Sequence, residues 1–119
     1  MTPIAARVDE LVGRAADLAA TFAGTAAEHD RDGSFPFENF AALRGADLLN
    51  VTVPREFGGH GLGLCAACRI LEPIGRGDAS TALVLAMHYI AHASLVLEDR
   101  WPRSLYEQVR RARSQALRW

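Results

Sequence analysis

Hydrophobic residues near the start of the chain recur at steps of three and four positions. These residues are Ile4, Val8, Leu11, Val12, Ala15, Leu18, Ala19 and Phe22. Such spacing places them on one face of an α-helix, which we expect to extend from about Pro3 to about His29. The polar run at residues 28–33 ends in glycine and predicts a loop after this helix.

The next segment predicts a short helix followed by a loop. Ser34 and Pro36 are expected to begin the helix, because serine caps free N–H groups and proline tolerates the first turn. The apolar stripe of this helix consists of Phe37, Phe40, Ala41 and Leu43. Gly45 is expected to end it. Residues 48–53 predict extended or irregular backbone, and the four glycines of residues 55–63 predict a loop with unusual backbone angles.

Two further helices flank a long apolar segment. The first is predicted from about Leu64 to Ile74, with Pro73 expected to kink or end it and residues 75–77 expected to form a break. The second is expected to begin at residues 101–102. Its apolar side consists of Leu105, Val109 and Ala112.

The apolar segment itself, residues 79–97, contains no charged side chain, and its length approaches that of a membrane span. Several polar residues and many alanines instead favour a buried helix of a bundle, covered by amphipathic neighbours. Asp78 or Ser80 is expected to cap this helix, which should end near Glu98. We therefore predict no membrane span, and an all-α fold in which about five antiparallel helices form one domain over residues 1–119.

Composition and charge narrow the possible functions. The net charge is −1, and the thirteen basic residues, all arginine, form no concentrated stripe, which argues against a nucleic-acid partner. Residues 1–12 carry charges and lack the apolar core of a signal peptide, so a cytoplasmic protein is expected. Cys65 and Cys68 are too few ligands for structural zinc, and we expect them to pack as small apolar groups on one helix face.

His88 and His92 are spaced so that both imidazoles lie on one face of a helix. A metalloprotease site needs Glu directly after the first histidine, but Tyr89 stands there and no third ligand is near in sequence, so no metal site is predicted. The two histidines are either satisfied core residues or groups that face a cofactor or substrate cleft. The residues alone leave both interpretations open.

The glycine-rich loop of residues 55–63 contains no known phosphate-binding pattern. Its glycines allow either a close approach of the backbone to a ligand or a neighbouring domain, or a tight connection between two helices. The spacing does not decide between these possibilities.

Three segments, in this order, resemble the acyl-CoA dehydrogenases. Residues 53–62, Val-Pro-Arg-Glu-Phe-Gly-Gly-His-Gly-Leu, are similar to the family's Val-Pro-Glu-Glu-Tyr-Gly-Gly-x-Gly-Leu loop. Residues 71–80, Leu-Glu-Pro-Ile-Gly-Arg-Gly-Asp-Ala-Ser, are similar to its Leu-Glu-Glu-Ile-Ala-Arg-x-Asp-Ala-Ser helix junction. Residues 37–49 resemble its second helix, and the resemblance extends over about residues 5–113.

The resemblance implies the N-terminal helical domain of a flavin-dependent acyl-CoA dehydrogenase-like oxidoreductase. The family's middle β-domain and C-terminal helical bundle are absent from the 119 residues, and the end at Trp119 favours a truncated product. The implied cofactor is FAD, with FMN as the alternative. The implied partners are an acyl-CoA or another small-molecule substrate and further copies in a homotetramer or homodimer.

In such an enzyme this domain supplies one wall of the acyl and flavin cleft and no catalytic residue. The resemblance implies that Phe57, Gly58 and Gly59 contact the substrate, and that His88 and His92 contact the cofactor. Alone, the chain is expected to be inactive, to bind no stoichiometric FAD, and to self-associate through an exposed apolar patch.

Two alternatives to the dehydrogenase remain. The helix that carries His88 and His92 is also similar to that of flavin-dependent monooxygenases of the same fold, in which a histidine near the flavin handles peroxide. Otherwise the chain is a non-catalytic helical remnant or an interaction module. Arg55, Phe57 and Pro73 stand where the dehydrogenases have Glu, Tyr and Glu.

Overall fold

A computed structural model describes residues 2–97 and 101–116. This part of the chain contains five α-helices and no strand. The helices are α1 (Ile4–Asp32), α2 (Phe37–Gly45), α3 (Leu64–Gly77), α4 (Ala79–Leu97) and α5 (Arg103–Ala116), with a 3-10 helix at Arg55–Phe57. The predicted all-α class is confirmed. No helix in the described ranges is long and apolar enough to cross a membrane.

Helix α1 is longer than its sequence predicted. The prediction of a loop over residues 28–33 was wrong, because α1 continues to Asp32 and ends at Gly33, which has a φ of 66°. Polar side chains on the last turn face solvent and do not interrupt backbone hydrogen bonding. The helix therefore ends where a glycine can adopt the left-handed conformation.

Helix α2 begins without a side-chain cap. The prediction that Ser34 caps it was wrong, since the Ser34 hydroxyl lies 2.7 Å from His29 Nδ1 at the end of α1. The other imidazole nitrogen of His29 bonds to Glu38 in the first turn of α2. These contacts fix the corner between the two helices. Gly45 is the last residue of α2, as predicted.

Helix α3 extends through the residues that were expected to break it. Pro73 lies inside α3, and the helix continues to Gly77. Proline removes only one backbone donor. Ile70 before Pro73 and Ile74 after it are both buried and hold α3 against its neighbours. Gly77 has a packing role, because a Cβ there would lie 2.3 Å from the carbonyl oxygen of Ala19. The glycine permits the close approach of α1 and α3.

The hydrophobic core lies where α3 packs on α1 and α4. Aromatic and aliphatic side chains of α1, α2, α3 and α4, together with the segment after α2, fill it. Its largest fully buried members are Tyr89, Phe22, Phe40, Leu11, Leu43, Leu48, Ile70, Ile74, Leu85 and Val51. Most of these positions follow the three- and four-residue spacing of the sequence, so the core is a direct result of that pattern.

Helix α4 begins at a buried carboxylate. Asp78 Oδ1 accepts hydrogen bonds from the backbone N–H groups of Ser80, at 3.0 Å, and Thr81, at 3.3 Å. Its Oδ2 accepts from the Thr81 hydroxyl at 2.9 Å and from Asn39 Nδ2 at 3.3 Å. Asp78, one of the two predicted caps, is therefore the cap of α4. The same network ties α4 to α2.

The prediction that α4 is buried all round was wrong. Only some of its faces contact α3 and the segment after α2, and the remaining face is open. The large side chains of Leu83, Val84, Met87, Ile90 and Leu97 are exposed on it. The predicted helix end near Glu98 lies outside the described residues.

Helix α5 presents a different residue to the interior than predicted. Leu105 is exposed, whereas the next residue, Tyr106, is buried. The side chains of Val109 and Ala112, the other two positions of the predicted apolar side, lie outside the described residues. Tyr106 faces inward because its ring packs on Phe57, with ring centroids 4.7 Å apart.

Candidate functional site

The segment between α2 and the glycine-rich loop is fixed to α4 by hydrogen bonds, two of which involve Tyr89. The Thr52 hydroxyl donates to the carbonyl oxygen of Tyr89 at 2.8 Å, and the Tyr89 hydroxyl donates to the carbonyl oxygen of Leu48. Burial raises the pKa of Tyr89, so its hydroxyl keeps its proton and remains a donor. The segment is therefore held along one side of α4.

The glycine-rich loop folds back onto this segment. The backbone N–H groups of His60 and Gly61 donate to the carbonyl oxygens of Asn50 and Val53, respectively. A Cβ on Gly59 would lie 2.1 Å from the Val53 carbonyl oxygen. The glycines thus serve a tight connection between two helices, one of the two interpretations that the sequence left open.

A hydrogen bond between two side chains joins the glycine-rich loop to the end of α2. His60 Nε2 donates to Asp47 Oδ2 at 2.8 Å. Asp47 lies in the turn that ends α2, and its φ of 63° is the one positive value among the described residues other than glycine. An aspartate tolerates this conformation better than most residues do. The pair anchors the loop to the end of α2.

An apolar groove of about 760 Å³ lies between this loop, α3 and α4. Backbone and side chains of the loop form one end, and small or aliphatic side chains of both helices form the floor and walls. The lining residues include Leu62, Leu64, Ala67, Leu71, Ala86, Ile90, Ala93 and Leu97. The lining residues with polar side-chain atoms are Thr52, Arg55, Cys68, Tyr89 and Ser94. Its volume is that of a small-molecule site.

Cys65 and Cys68 are both exposed, so the prediction that they pack as small apolar groups was wrong. They lie near the start of α3, where Ala66 and Ala67 between them are buried. Cys68 lines the groove and Cys65 does not. Within the described residues, no three side chains of His, Cys, Asp or Glu are placed to hold a metal ion.

The predicted substrate residues lie beside the groove. Phe57 packs on α5, with Arg103 Cζ 5.0 Å from the centre of its ring. Gly58 accepts a hydrogen bond from Asn50 Nδ2 through its carbonyl oxygen, and Gly59 packs on Val53. None of the three is among the described residues that line the groove. Their contact with substrate stays a prediction.

The predicted cofactor residues lie together on α4, between the Thr52 segment and α5. The rings of His88 and His92 have centroids 4.7 Å apart, and the His92 ring is 6.3 Å from that of Tyr106. His92 is buried, and His88 Nε2 donates to the carbonyl oxygen of Leu49 at 2.7 Å. Both histidines contribute to packing in this chain. Their contact with a cofactor stays a prediction.

The groove continues into the open face of α4. Leu83, Met87, Ile90 and Leu97 are spaced by four, three and seven residues, so they lie along one side of the helix. Their exposed fractions range from 60% to 84%, well above those of ordinary core residues. Ile90 and Leu97 belong both to this face and to the groove. The apolar surface is thus continuous.

Most residues of the groove were not predicted from the sequence. Leu64, Ala67, Cys68 and Leu71 recur at three- and four-residue steps, a signal that marks one face of α3. That signal could have shown that these residues share one face of α3. It could not have shown that this face lies open beside α4. The depth of the groove depends on how α3 and α4 pack.

The similarity of the chain to known proteins identifies its family. The family described as "Acyl-CoA dehydrogenase, N-terminal domain" matches residues 7–99. The chain belongs to the acyl-CoA dehydrogenase family. It is 35% identical over 97 residues to YdbM of Bacillus subtilis, which is named as an acyl-CoA dehydrogenase, and this match covers 82% of the chain and 25% of YdbM.

Other relatives of this acyl-CoA dehydrogenase domain carry different activities in their names. SfnC of Pseudomonas putida, named as an FMNH2-dependent monooxygenase, is 34% identical over 90 residues, which cover 73% of the chain and 23% of SfnC. The 3-sulfinopropanoyl-CoA desulfinase of Variovorax paradoxus is 36% identical over 72 residues, which cover 60% of the chain and 18% of the desulfinase. The chain thus spans about a quarter or less of the length of these relatives. The family uses flavin.

Few of the described groups that line the groove could form hydrogen bonds with a flavin. The Thr52 hydroxyl already donates to the carbonyl oxygen of Tyr89. A flavin needs donors for its ring carbonyls and for its phosphates, and Arg55 is the one charged donor among the described residues that line the groove. The described part of the groove is thus mainly an apolar surface.

Proposed function

We propose that this chain is the N-terminal domain of a flavin-dependent acyl-CoA dehydrogenase-type oxidoreductase and supplies one apolar wall of its acyl and flavin cleft. The observation that carries the proposal is the continuous apolar surface of the groove and the open face of α4. Membership of the acyl-CoA dehydrogenase family supports the assignment of this surface to an acyl and flavin cleft. An apolar wall binds the alkyl part of a substrate and excludes water from the reacting atoms.

The rest of such an enzyme lies outside this chain. We infer that a middle β-domain and a C-terminal helical bundle supply the flavin contacts, the catalytic base and the contacts of a homotetramer or homodimer. The flavin, when bound, accepts a hydride from the substrate. The cofactor is FAD, the substrate is an acyl-CoA, and the protein acts in the cytoplasm; each of these is an expectation from the sequence and the family. The chain alone is expected to be inactive and to hold no stoichiometric FAD.

A second candidate is the N-terminal domain of a monooxygenase of the same fold. Two observations favour it: the similarity to SfnC and the adjacent rings of His88 and His92 on α4. In that case the cofactor is a reduced flavin, with FMN as the expected form. The wall formed by the groove would then contact a substrate that needs no CoA.

Anaerobic reduction of the flavin tests the proposal and separates the candidates. The polypeptide that the source cell makes from this gene is purified and mixed with acyl-CoA in the absence of oxygen. A dehydrogenase loses its visible flavin band, because the substrate reduces the flavin directly. A monooxygenase keeps the band under acyl-CoA and consumes oxygen only after its flavin is reduced. A product that binds no flavin would contradict both candidates and favour a non-catalytic helical protein.

A further inference from the structure

We propose that Ser34, His29 and Glu38 form a second reactive site, in which the Ser34 hydroxyl accepts an acyl group from an activated ester. The three residues lie at the corner between α1 and α2. None of them is among the described residues that line the groove. The inference goes beyond the proposed function and does not rest on it, because the reaction needs no flavin.

His29 contacts the other two side chains through its two different ring nitrogens. The Ser34 hydroxyl oxygen lies 2.7 Å from Nδ1, and the Glu38 carboxylate is bonded to Nε2. A nucleophile, a base within hydrogen-bond distance and a third group that orients the base are the parts of a nucleophilic serine site. The corner brings them together, because His29 lies in the last turn of α1 and Glu38 in the first turn of α2.

The carboxylate decides which ring nitrogen of His29 carries the proton. The hydrogen bond to His29 lowers the pKa of Glu38, so the carboxylate is ionised near neutral pH and can only accept hydrogen bonds. When the imidazole is neutral, Nε2 must therefore donate to Glu38, which leaves Nδ1 as the acceptor for the Ser34 hydroxyl proton. The neutral ring is thus held in the form of a general base.

The surroundings of His29 stabilise the positive charge that forms when the ring takes this proton. Glu38 raises the pKa of His29 mainly through its hydrogen bond, and the charges of Glu28 and Asp78 act in the same direction. The carbonyl end of α1 also favours a cation in the last turn of the helix. His29 is therefore a stronger base than a free imidazole, and it is available as a base above its raised pKa.

The exposure of the three groups allows a small ester to reach the nucleophile. Ser34 is exposed, whereas the side chain of His29 is only 18% exposed. Phe35, the next residue after the nucleophile, stacks on Phe40 with ring centroids 5.3 Å apart and remains 41% exposed. Its ring offers an apolar surface to an aromatic leaving group. The expected class of substrate is therefore an aryl ester of a small carboxylic acid.

The proposed step transfers the acyl group without oxidation or reduction. Ser34 Oγ attacks the carbonyl carbon of the ester as its proton passes to His29 Nδ1. The bond between that carbon and the aryloxide oxygen then breaks, and its electron pair leaves with the aryloxide. The products are an ester of Ser34, an aryloxide and a proton that the imidazolium returns to solvent.

Acetylation by p-nitrophenyl acetate tests the site, because nitrophenolate leaves without a proton. The polypeptide that the source cell makes from this gene is treated with this ester and digested with trypsin, and peptide mass spectrometry follows each product. Cleavage after Arg31 and Arg44 releases residues 32–44, in which Ser34 carries the only hydroxyl and no lysine, cysteine or histidine is present. An acetyl group on this peptide therefore reports directly on Ser34.

A second serine provides a control inside the same molecule. Ser104 is exposed in the first turn of α5. Ser34 is expected to be acetylated at least about tenfold faster than Ser104, because the base next to it accepts the proton during the attack. Equal rates at the two serines would overturn the proposal.

Substitutions of the base and of the nucleophile separate reactivity from exposure. His29→Gln keeps a polar side chain at the corner but removes the base, and acetylation of Ser34 is expected to fall at least about tenfold. Ser34→Ala should remove the fast phase of nitrophenolate release. Circular dichroism checks that both variants remain helical. If the fast phase persists in Ser34→Ala but disappears in His29→Gln, the imidazole is the nucleophile and the proposal is wrong.

The pH profile gives a measurement that a purely structural corner would not change. Acetylation of Ser34 should rise as pH increases through the raised pKa of His29, because the neutral ring is the base. In Glu38→Gln the rise should move to lower pH and reach a plateau about tenfold lower, since no carboxylate stabilises the imidazolium or fixes the tautomer. Glu28→Gln removes a charge near His29 but neither hydrogen bond, and as the matched control it should change the plateau less than about twofold. The same profile in the wild type and Glu38→Gln would overturn the proposal.

Discussion

Thr52 and Tyr89 are joined by a buried hydrogen bond in which the threonine hydroxyl donates to the tyrosine carbonyl oxygen at 2.8 Å. The tyrosine hydroxyl in turn donates to Leu48, four residues before Thr52. Each residue thus binds the segment to α4 at a different point. Because both Thr52 and Tyr89 line the groove, this relationship positions one wall of the candidate site.

Removing the donor of either bond should destabilise the domain. Tyr89→Phe leaves the buried Leu48 carbonyl oxygen without the tyrosine donor, and we expect a loss of about 1–3 kcal/mol in the free energy of unfolding. Thr52→Val should cost about 1 kcal/mol. Urea unfolding measures both. Thr21→Val, at an exposed position of α1, is the control and should change stability by less than about 0.5 kcal/mol. Equal stabilities for all three variants would show that these bonds hold nothing in place.

The close approach of α1 and α3 predicts opposite effects for two glycine substitutions. Gly77→Ala places a Cβ 2.3 Å from the Ala19 carbonyl oxygen, so the helices must separate, at a cost of about 1–3 kcal/mol. A Cβ on Gly24, also inside a helix, meets nothing within 4 Å. Gly24→Ala should therefore stabilise the protein by about 0.5–1 kcal/mol. Thermal unfolding of the two variants checks the difference in sign, and a tolerated Gly77→Ala would contradict the packing of α1 on α3.

The buried carboxylate of Asp78 predicts a large loss when it is truncated. Asp78→Ala removes the cap of α4, leaves the Thr81 hydroxyl without its acceptor and leaves Asn39 only its bond to Thr81, at a combined cost of about 2–3 kcal/mol. Asp17→Ala, at an exposed position within α1, should be close to neutral. Denaturant midpoints provide the comparison. If the two variants unfold at the same concentration, the network contributes no net stability.

The pair of His29 and Glu38 predicts a dependence of stability on pH. Its hydrogen bond raises the pKa of His29 above 6.5 and lowers the pKa of Glu38 below 4.5. The stabilisation is therefore fully present between these ordinary values. It is lost as pH rises through the raised pKa of His29, and it is lost as pH falls through the lowered pKa of Glu38.

Unfolding free energies of the wild type and Glu38→Gln, compared across pH, isolate this contribution from all other groups. The difference should be largest between the two ordinary pKa values and should shrink on both sides. An NMR titration of His29 should give a lower pKa in Glu38→Gln than in the wild type. A difference in stability that is constant with pH would show that the pair does not titrate as described.

The sequence predicted the helical class well because periodicity records which face of a helix is buried. It failed where a residue's role depends on a partner distant in sequence. Gly77 belongs to a glycine-rich segment that predicts a helix break. In the structure it lies inside α3 and lets the backbone of Ala19 on α1 approach α3 closely. Likewise the packing of the Phe57 ring on Tyr106 of α5 is a contact that the motif does not record.

The candidate site was only partly predictable for the same reason. The apolar character of α4 is evident in its sequence, but the absence of charge does not say which of its faces another element covers. The groove exists because α3 and α4 leave a space between them. The spacing of side chains along the sequence does not predict how deep that space is. Arg55 was noticed as a departure from the family loop, and only the folded structure shows that it lines the groove.

The central claim is that the open face of α4 forms a wall for the acyl chain, and two isoleucines of equal exposure test it most directly. Ile90 lies in the groove and is 60% exposed, whereas Ile4 lies at the start of α1 and is 61% exposed. The measurement is the Kd of dodecanoyl-CoA for the flavin-containing protein that the source cell makes. Ile90→Glu should raise this Kd about tenfold or more, because it places a carboxylate against the alkyl chain, and Ile4→Glu should change it less than about twofold. Equal Kd values for the two variants would contradict the account.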